Sequence, residues 1–486
     1  MKRFVLSAIV RILRALFYGI LGAFLVLVFL FVMDLQKRPD LNVWHKADLD
    51  AEFTKKSKVS NFQEYLDLEE KLFAQLDELV YGHTRPEDRS IINRYHRGSM
   101  ADPASWSPNW NHTFELTTDS PKAGVLLLHG LSDSPYSMRS LGQRLHAAGA
   151  RVLGLRVPGH GTAPSGLVDV KWEDMAAAVR LAMHHLQDEV GSRPLYIVGY
   201  SNGAALAVRY ALETLDDKTL PTVDRLVLLS PEIGVVKVAA LAIWQARLGH
   251  LLGLQKLEWT DILPEYEPFK YGSFAVNGGD LSYRLTAVNR SRLTELKNTA
   301  KLKQFPPVLA FQSAVDRTVS MEAVVEVLFK QLPAGGHELM LFDINRNREL
   351  EMVLKGDPKP YVDSLFKGSG LPFKLSFFTI TNDAAARIVI RSKEAEQAEI
   401  NETFPNLKWP EHVYSLSHVA LPFPADDPIY GGDVSADSPG LQLGNLAMRG
   451  ERNTLQIPAS TMLRLRWNPF YDFMENRMLE FLDLDD

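Results

Sequence analysis

Residues 195–206 read Leu-Tyr-Ile-Val-Gly-Tyr-Ser-Asn-Gly-Ala-Ala-Leu. An apolar, β-prone run ends at Gly199, and a helix-prone stretch begins at Asn202 and continues through Tyr210 and Leu215. Ser201 must therefore sit on a strand-to-helix turn, which forces strained backbone angles and presents its hydroxyl. Glycines two residues to either side let strand and helix approach without Cβ clashes. The helix N-terminus beneath the serine favours negative charge developing next to it.

The flanking sequence supplies the sheet that such a turn needs. Short apolar runs at 113–117, 124–128, 152–156, 226–229 and 307–311 read as strands, alternating with helical patterns at 138–148 and 172–186. This β-α-β alternation predicts a mostly parallel, doubly wound sheet with its site at the C-terminal ends of the strands. Residues 61–80 carry Phe62, Tyr65, Leu66, Phe73, Leu76 and Val80 near helical spacing, predicting an amphipathic helix docked on that domain.

The N-terminus has a different character. Residues 15–33 are 19 positions without a charge, long enough as a helix to span ~28 Å, one hydrocarbon thickness. Lys2, Arg3, Arg11 and Arg14 precede them, and no small-x-small cleavage site follows. The expectation is an uncleaved signal anchor with its N-terminus in the cytoplasm and residues 34–486 on the extracytoplasmic, periplasmic side. The predicted division is a cytoplasmic 1–14, a transmembrane 15–33, an extension over 34–110 and a catalytic domain over 111–486. Apolar content of 46% with 23% charged residues excludes a disordered chain. A net charge of -6 gives no basic footprint for nucleic acid. The absence of cysteine removes disulfides, thiolate metal sites and cysteine nucleophiles.

Four stretches carry a family resemblance: Leu-Leu-Leu-His129-Gly130-Leu131, Ser134-Pro135-Tyr136-Ser137-Met138-Arg139, Val157-Pro158-Gly159-His160-Gly161-Thr162 and Gly199-Tyr200-Ser201-Asn202-Gly203. In this order they resemble the α/β-hydrolase superfamily, and more narrowly bacterial monoacylglycerol lipases and related carboxylesterases. The resemblance implies a triad in the order Ser, then Asp or Glu, then His. Ser201 is then the nucleophile. Asp316, after a buried strand and before Arg-Thr-Val, is the first candidate for the acid, with Glu232 second. Asp343, inside an apolar run, reads as an exposed strand face. Of the 13 histidines only His337, His412 and His418 follow Asp316. His337 and His412 precede their runs, whereas His418 follows 413–416, read as a strand, and suits a loop-borne base. His129 and His160 precede the nucleophile and are expected to hold loops. The backbone N–H groups of Leu131 and Asn202 are the family's oxyanion donors. No metal or organic cofactor is required.

Two insertions depart from compact relatives. Residues 235–254 open a cap region extending to about 300 and are strongly apolar, with Trp244 and Leu248 among them. A second insertion spans about 345–405, and apparent additional strands at 339–344 and 374–381 surround a polar segment containing Pro and Gly. Residues 474–482 read as the closing helix. The function implied is a membrane-anchored serine esterase that cleaves acyl esters such as monoacylglycerols or lysophospholipids through an acyl-enzyme. The same triad also fits an amidase or peptidase, an acyltransferase, or a non-catalytic scaffold binding a partner or lipid.

Overall fold

Ten strands form one sheet whose two faces are both covered, as the continuous apolar strand runs require. The computed structural model describes residues 2–234, 254–346, 356–368, 370–381, 387–433, 441–444, 461 and 463–485, with the side chains of 2–10, 27, 28, 31 and 34 outside the description. The elements preceding the serine are α1 (Lys2–Lys37), α2 (Val43–Lys46), α3 (Phe62–Leu76), β1 (Phe114–Leu116), β2 (Gly124–Leu128), α4 (Arg139–Ala147), β3 (Arg151–Leu155), α5 (Gly166–Asp169), α6 (Trp172–Val190) and β4 (Leu195–Tyr200). After it come α7 (Asn202–Thr214), β5 (Arg225–Leu229), the small pair β6 (Trp259–Asp261) and β7 (Phe274–Ala275), α8 (Val276–Leu296), β8 (Val308–Ser313), β9 (Glu338–Phe342), α9 (Lys359–Lys367), β10 (Lys374–Ile380), β11 (Ile388–Lys393), β12 (Asn401–Thr403) and α10 (Tyr471–Phe481).

The strand order is β1-β3-β2-β4-β5-β8-β9-β10-β11-β12. From β3 to β10 every neighbour is parallel; β1 pairs antiparallel with β3, and β11 and β12 add antiparallel at the other edge. Strand β2 shows how one sequence serves two cores. Leu126 and Leu128 face the layer of α6 and α7, while Val125 and Leu127 face the layer of α4 and α10.

The extension over 34–110 belongs to the same body. Asn61 caps α3, its side chain accepting from the N–H of Glu64. Phe62 and Tyr65 on the apolar stripe enter the core against α6, and the Tyr65 hydroxyl donates to the Arg156 carbonyl at 2.5 Å. The predicted stripe therefore does dock on the domain.

Several expectations change. The segment 413–416 is not a strand: it makes an isolated antiparallel bridge from Ser415 to Ile344, with the Asn345 N–H donating to the Tyr414 carbonyl. Asp343 is not on an exposed face. It is fully buried, where Arg346 and Thr379 donate to it, so its charge is compensated rather than solvated. Of the predicted cap, 235–253, including Trp244 and Leu248, lies outside the described residues, and α8 accounts for most of 276–300. The second insertion contributes α9, β10, β11 and β12, which extend the sheet. The apolar segment 15–33 lies within α1, whose side chains from Ile12 to Met33, where described, are exposed. Among the described residues no helix is long and apolar enough to cross a membrane.

Candidate active site

Ser201 follows β4 with φ 54° and ψ -115°, a conformation that an L-residue rarely adopts. The flanking glycines explain how the turn is tolerated. A Cβ on Gly199 would lie 2.6 Å from the Cα of Ala204, and one on Gly203 would strike the Leu128 carbonyl and come within 2.6 Å of that of His129. Helix α7 can start directly behind the serine only because both positions lack a side chain. The Ser201 N–H donates to the Leu229 carbonyl at 2.9 Å, which ties the turn to β5.

The three residues proposed from sequence meet at the strand ends. His418 Nδ1 lies 2.8 Å from Asp316 Oδ2, and His418 Nε2 lies 2.9 Å from Ser201 Oγ. A carboxylate only accepts, so Nδ1 carries the proton and Nε2 is free to accept from the serine hydroxyl. All three residues are nearly or fully buried at their working atoms. Asp316 is fixed from several directions. Its Oδ1 accepts from the N–H groups of Thr318 and Val319, and its Oδ2 also accepts from Gln312 Nε2 at 3.1 Å. Burial pushes its carboxyl up, but the hydrogen bond and charge of His418 and the two backbone donors outweigh burial and hold it below its ordinary value. His418 itself opens a single helical turn, His418–Ala420. Tyr200 packs beside its ring, with centroids 5.4 Å apart.

Glu232, the second candidate for the acid, is not on the histidine. Its Oε2 accepts from the Asn202 side chain at 2.8 Å, and its N–H donates to the Ser201 carbonyl. Burial pushes its carboxyl up. His337 precedes β9, where its Nδ1 accepts from the Val308 N–H, and His412 is exposed. His129 and His160 hold loops. His129 Nδ1 donates to the Gly130 carbonyl while its Nε2 accepts from the Val157 N–H, and His160 donates to the carbonyl of Pro158. Burial drives both imidazoles toward the neutral form, His160 down to about 4. Among the described residues the N–H groups of Leu131 and Asn202 donate no hydrogen bond. Both flank the serine turn, Asn202 as the first residue of α7 and Leu131 just after the end of β2.

Sequence reasoning passed over Gln312 and the Asn202–Glu232 contact. Gln312 did leave a signal: it follows the apolar run Val308–Phe311 within the fully buried strand β8, and a buried polar group there needs a partner.

Residues 119–343 match the family Hydrolase_4, described as serine aminopeptidase, S33. No curated protein matches the chain. Among solved structures it is similar to that of the metagenome-derived lipolytic enzymes LipS and LipT, at 19% identity over 53% of this chain and 98% of the other, with a TM-score of 0.38. It is similar to the monoacylglycerol lipase of Paleococcus ferrophilus at 18% identity, covering 52% of this chain and 97% of that one, with a TM-score of 0.37. A soluble variant of monoglyceride lipase from Saccharomyces cerevisiae is 17% identical over 47% of this chain and 81% of its own, with a TM-score of 0.35. The sheet order, the strained serine turn behind β4 and the family match over 119–343 make this chain a hydrolase of the α/β-hydrolase fold.

Proposed function

We propose that the protein is a serine esterase that cleaves carboxylic esters of lipid type, such as monoacylglycerols or lysophospholipids, with Ser201, His418 and Asp316 as its triad. The observation that carries this reading is the single imidazole bridging a strained serine and a buried carboxylate at 2.9 and 2.8 Å. Ser201 Oγ attacks the ester carbonyl carbon as its proton passes to His418 Nε2. Asp316 keeps the imidazole in the reactive tautomer and stabilises the imidazolium. The Leu131 and Asn202 N–H groups take the oxyanion, an arrangement worth about 3 kcal/mol per donor in related chemistry. The tetrahedral intermediate then expels the alkoxide, which takes the proton from His418. A water, deprotonated by the same nitrogen, releases the acid from the acyl-enzyme. None of these steps calls on a metal or cofactor.

An amide substrate is the second reading, favoured by the serine aminopeptidase description of the matching family. Turnover of p-nitrophenyl esters of increasing chain length, set against aminoacyl p-nitroanilides, separates the two. The ester reading expects kcat/KM to rise with each added CH₂, each contributing up to ~0.8 kcal/mol where it is buried; faster anilide cleavage would reverse the assignment.

We further propose that 15–33 anchors the protein, that 34–110 is an extension of a catalytic domain over 111–486, and that this domain lies outside the cytoplasm. Support comes from the uncharged run, the basic residues before it and the exposed apolar surface of α1. A reporter fused after Asp486 is expected to be active only in an extracytoplasmic assay, and cytoplasmic activity refutes the topology.

A further inference from the structure

A cavity of about 70 Å³ is lined by the chain neighbours of the serine and histidine rather than by Ser201 and His418 themselves, and the Tyr200 ring in its wall lies 5.4 Å from the His418 ring. Tyr200, which precedes Ser201, and Val419, which follows His418, form part of its wall. The remainder carries an unusual concentration of charge for a lipid-binding surface: Lys270, Arg464 and Arg466 against Asp133 and Glu267. Four of these five form two pairs. Lys270 Nζ contacts Asp133 Oδ1 at 2.9 Å, and Arg466 Nη1 contacts Glu267 Oε1 at 2.9 Å, with the Tyr430 hydroxyl also donating to Glu267 at 2.8 Å. Arg464 is the fifth. Among the described residues it forms no ion pair, and its Nη2 donates to the neutral Thr318 hydroxyl at 3.0 Å. The wall therefore carries one uncompensated positive charge, with guanidinium donors left over for an acceptor.

The side of the site on which the cavity lies identifies what it would hold. The group that His418 protonates is the departing oxygen, so the alcohol part of an ester must lie on the histidine side. That is the side bounded by Val419 and Tyr200. Phe423 and Tyr430 complete an apolar rim, which suits a short carbon skeleton ending in a charged group.

We infer that this cavity is a leaving-group subsite for an oxyanion, a phosphate or carboxylate borne on the alcohol portion of the ester, held by Arg464 with Lys270 and Arg466 behind it. The inference rests on the ester reading above and narrows its substrate class to anionic lipid esters. Arg466 and Lys270 are already positioned by Glu267 and Asp133, so little ordering is needed when the anion enters. A planar guanidinium fits two oxygens of either oxyacid.

The test compares kcat/KM for octanoyl esters of glycerol, glycerol phosphate and glycerate in the full chain, in Arg464→Gln and in Arg464→Lys. The expected result is a preference for an anionic ester of roughly tenfold or more over the glycerol ester, the size of one charge-assisted hydrogen bond. Arg464→Gln should lower that ratio about tenfold, and Arg464→Lys should keep most of it. Which anionic ester is preferred tells phosphate from carboxylate. In the unaltered protein, glycerol phosphate or glycerate should compete with p-nitrophenyl octanoate where glycerol at the same concentration does not. Equal turnover of all three esters, or an Arg464→Gln loss that is proportional across them, overturns the subsite. Failure to cleave any of the esters, with Ser201 unreactive to fluorophosphonate, overturns the ester reading instead.

Discussion

Arg156 Nε donates to Glu69 Oε2 at 2.9 Å, joining the loop after β3 to helix α3 of the N-terminal extension, and both side chains are buried. Glu52 adds a bidentate contact to the same guanidinium at 2.9 and 3.0 Å, and Arg156 Nη1 also donates to the His160 carbonyl. The next residue, Val157, donates its N–H to His129, which in turn holds the Gly130 carbonyl. Two carboxylates of the extension thus steady the loop that leads to Leu131. Removing one partner of a buried ion pair leaves an uncompensated charge and costs about 3–5 kcal/mol. Glu69→Ala leaves Arg156 paired with Glu52, so it should lower unfolding stability by less than that in a denaturant titration, whereas a chain beginning after residue 110 loses both carboxylates and should fail to give a cooperative transition.

The second prediction concerns the turn itself. With a Cβ at 203 directed at the carbonyls of Leu128 and His129, Gly203→Ala can fit only if backbone moves. We expect a loss of about 2–3 kcal/mol, the upper part of the overpacking range, together with loss of esterase turnover. Ser201→Gly should behave in the opposite way. It removes the proposed nucleophile but relaxes a φ of 54°, so turnover should disappear while thermal stability is maintained or rises.

The two carboxyls near the serine can be told apart. Asp316 contacts His418, whereas Glu232 contacts Asn202. Asp316→Asn should reduce kcat by orders of magnitude, because the imidazole loses its tautomer partner, while Glu232→Gln retains an acceptor for Asn202 and should cost far less. The reverse ranking in steady-state kinetics would reassign the acid.

The pH dependence of stability follows from the direction of the Asp316 shift. Its folded carboxyl is held below the ordinary value of 3.8, so between the two values the group binds fewer protons folded than unfolded. The stability it contributes is fully present above that ordinary value and is lost as pH falls through the lowered folded one. Unfolding free energies measured down from pH ~5 should therefore fall less steeply in Asp316→Asn than in the unaltered chain; identical slopes would remove Asp316 from the acid limb.

How much could be read in advance depended on whether the signal was local. The Gly199-x-Ser201-x-Gly203 turn was legible because its constraint is steric and spans five residues. Asp316 was legible from its position after an apolar strand. His418 came from chain order, although the strand invoked beneath it is only a bridge at Ser415. Its orientation is set by Asn345 and by the Ser417 hydroxyl donating to the Leu465 carbonyl, contacts between distant segments that no periodicity reveals. Asp343 misled because its burial is compensated by Thr379 on β10 together with Arg346 three residues on, and only the second of these lies nearby in sequence. Glu69 left a trace that went unused. It sits among Phe62, Tyr65, Leu72, Phe73 and Leu76 on the buried stripe of α3, where a carboxylate needs a buried cation. The sequence has Asn-x-Ser/Thr tripeptides at Asn111, Asn289 and Asn401; Asn111 and Asn289 are buried, with their amides donating to the carbonyls of Pro268 and Ala205. A tripeptide pattern cannot report that.

The most direct test of the triad is fluorophosphonate labelling of the intact protein with the adduct mapped by mass spectrometry. The account predicts one adduct, on Ser201, absent in Ser201→Ala and formed orders of magnitude more slowly in His418→Ala. An adduct on another serine, or a labelling rate that His418→Ala leaves unchanged, contradicts it.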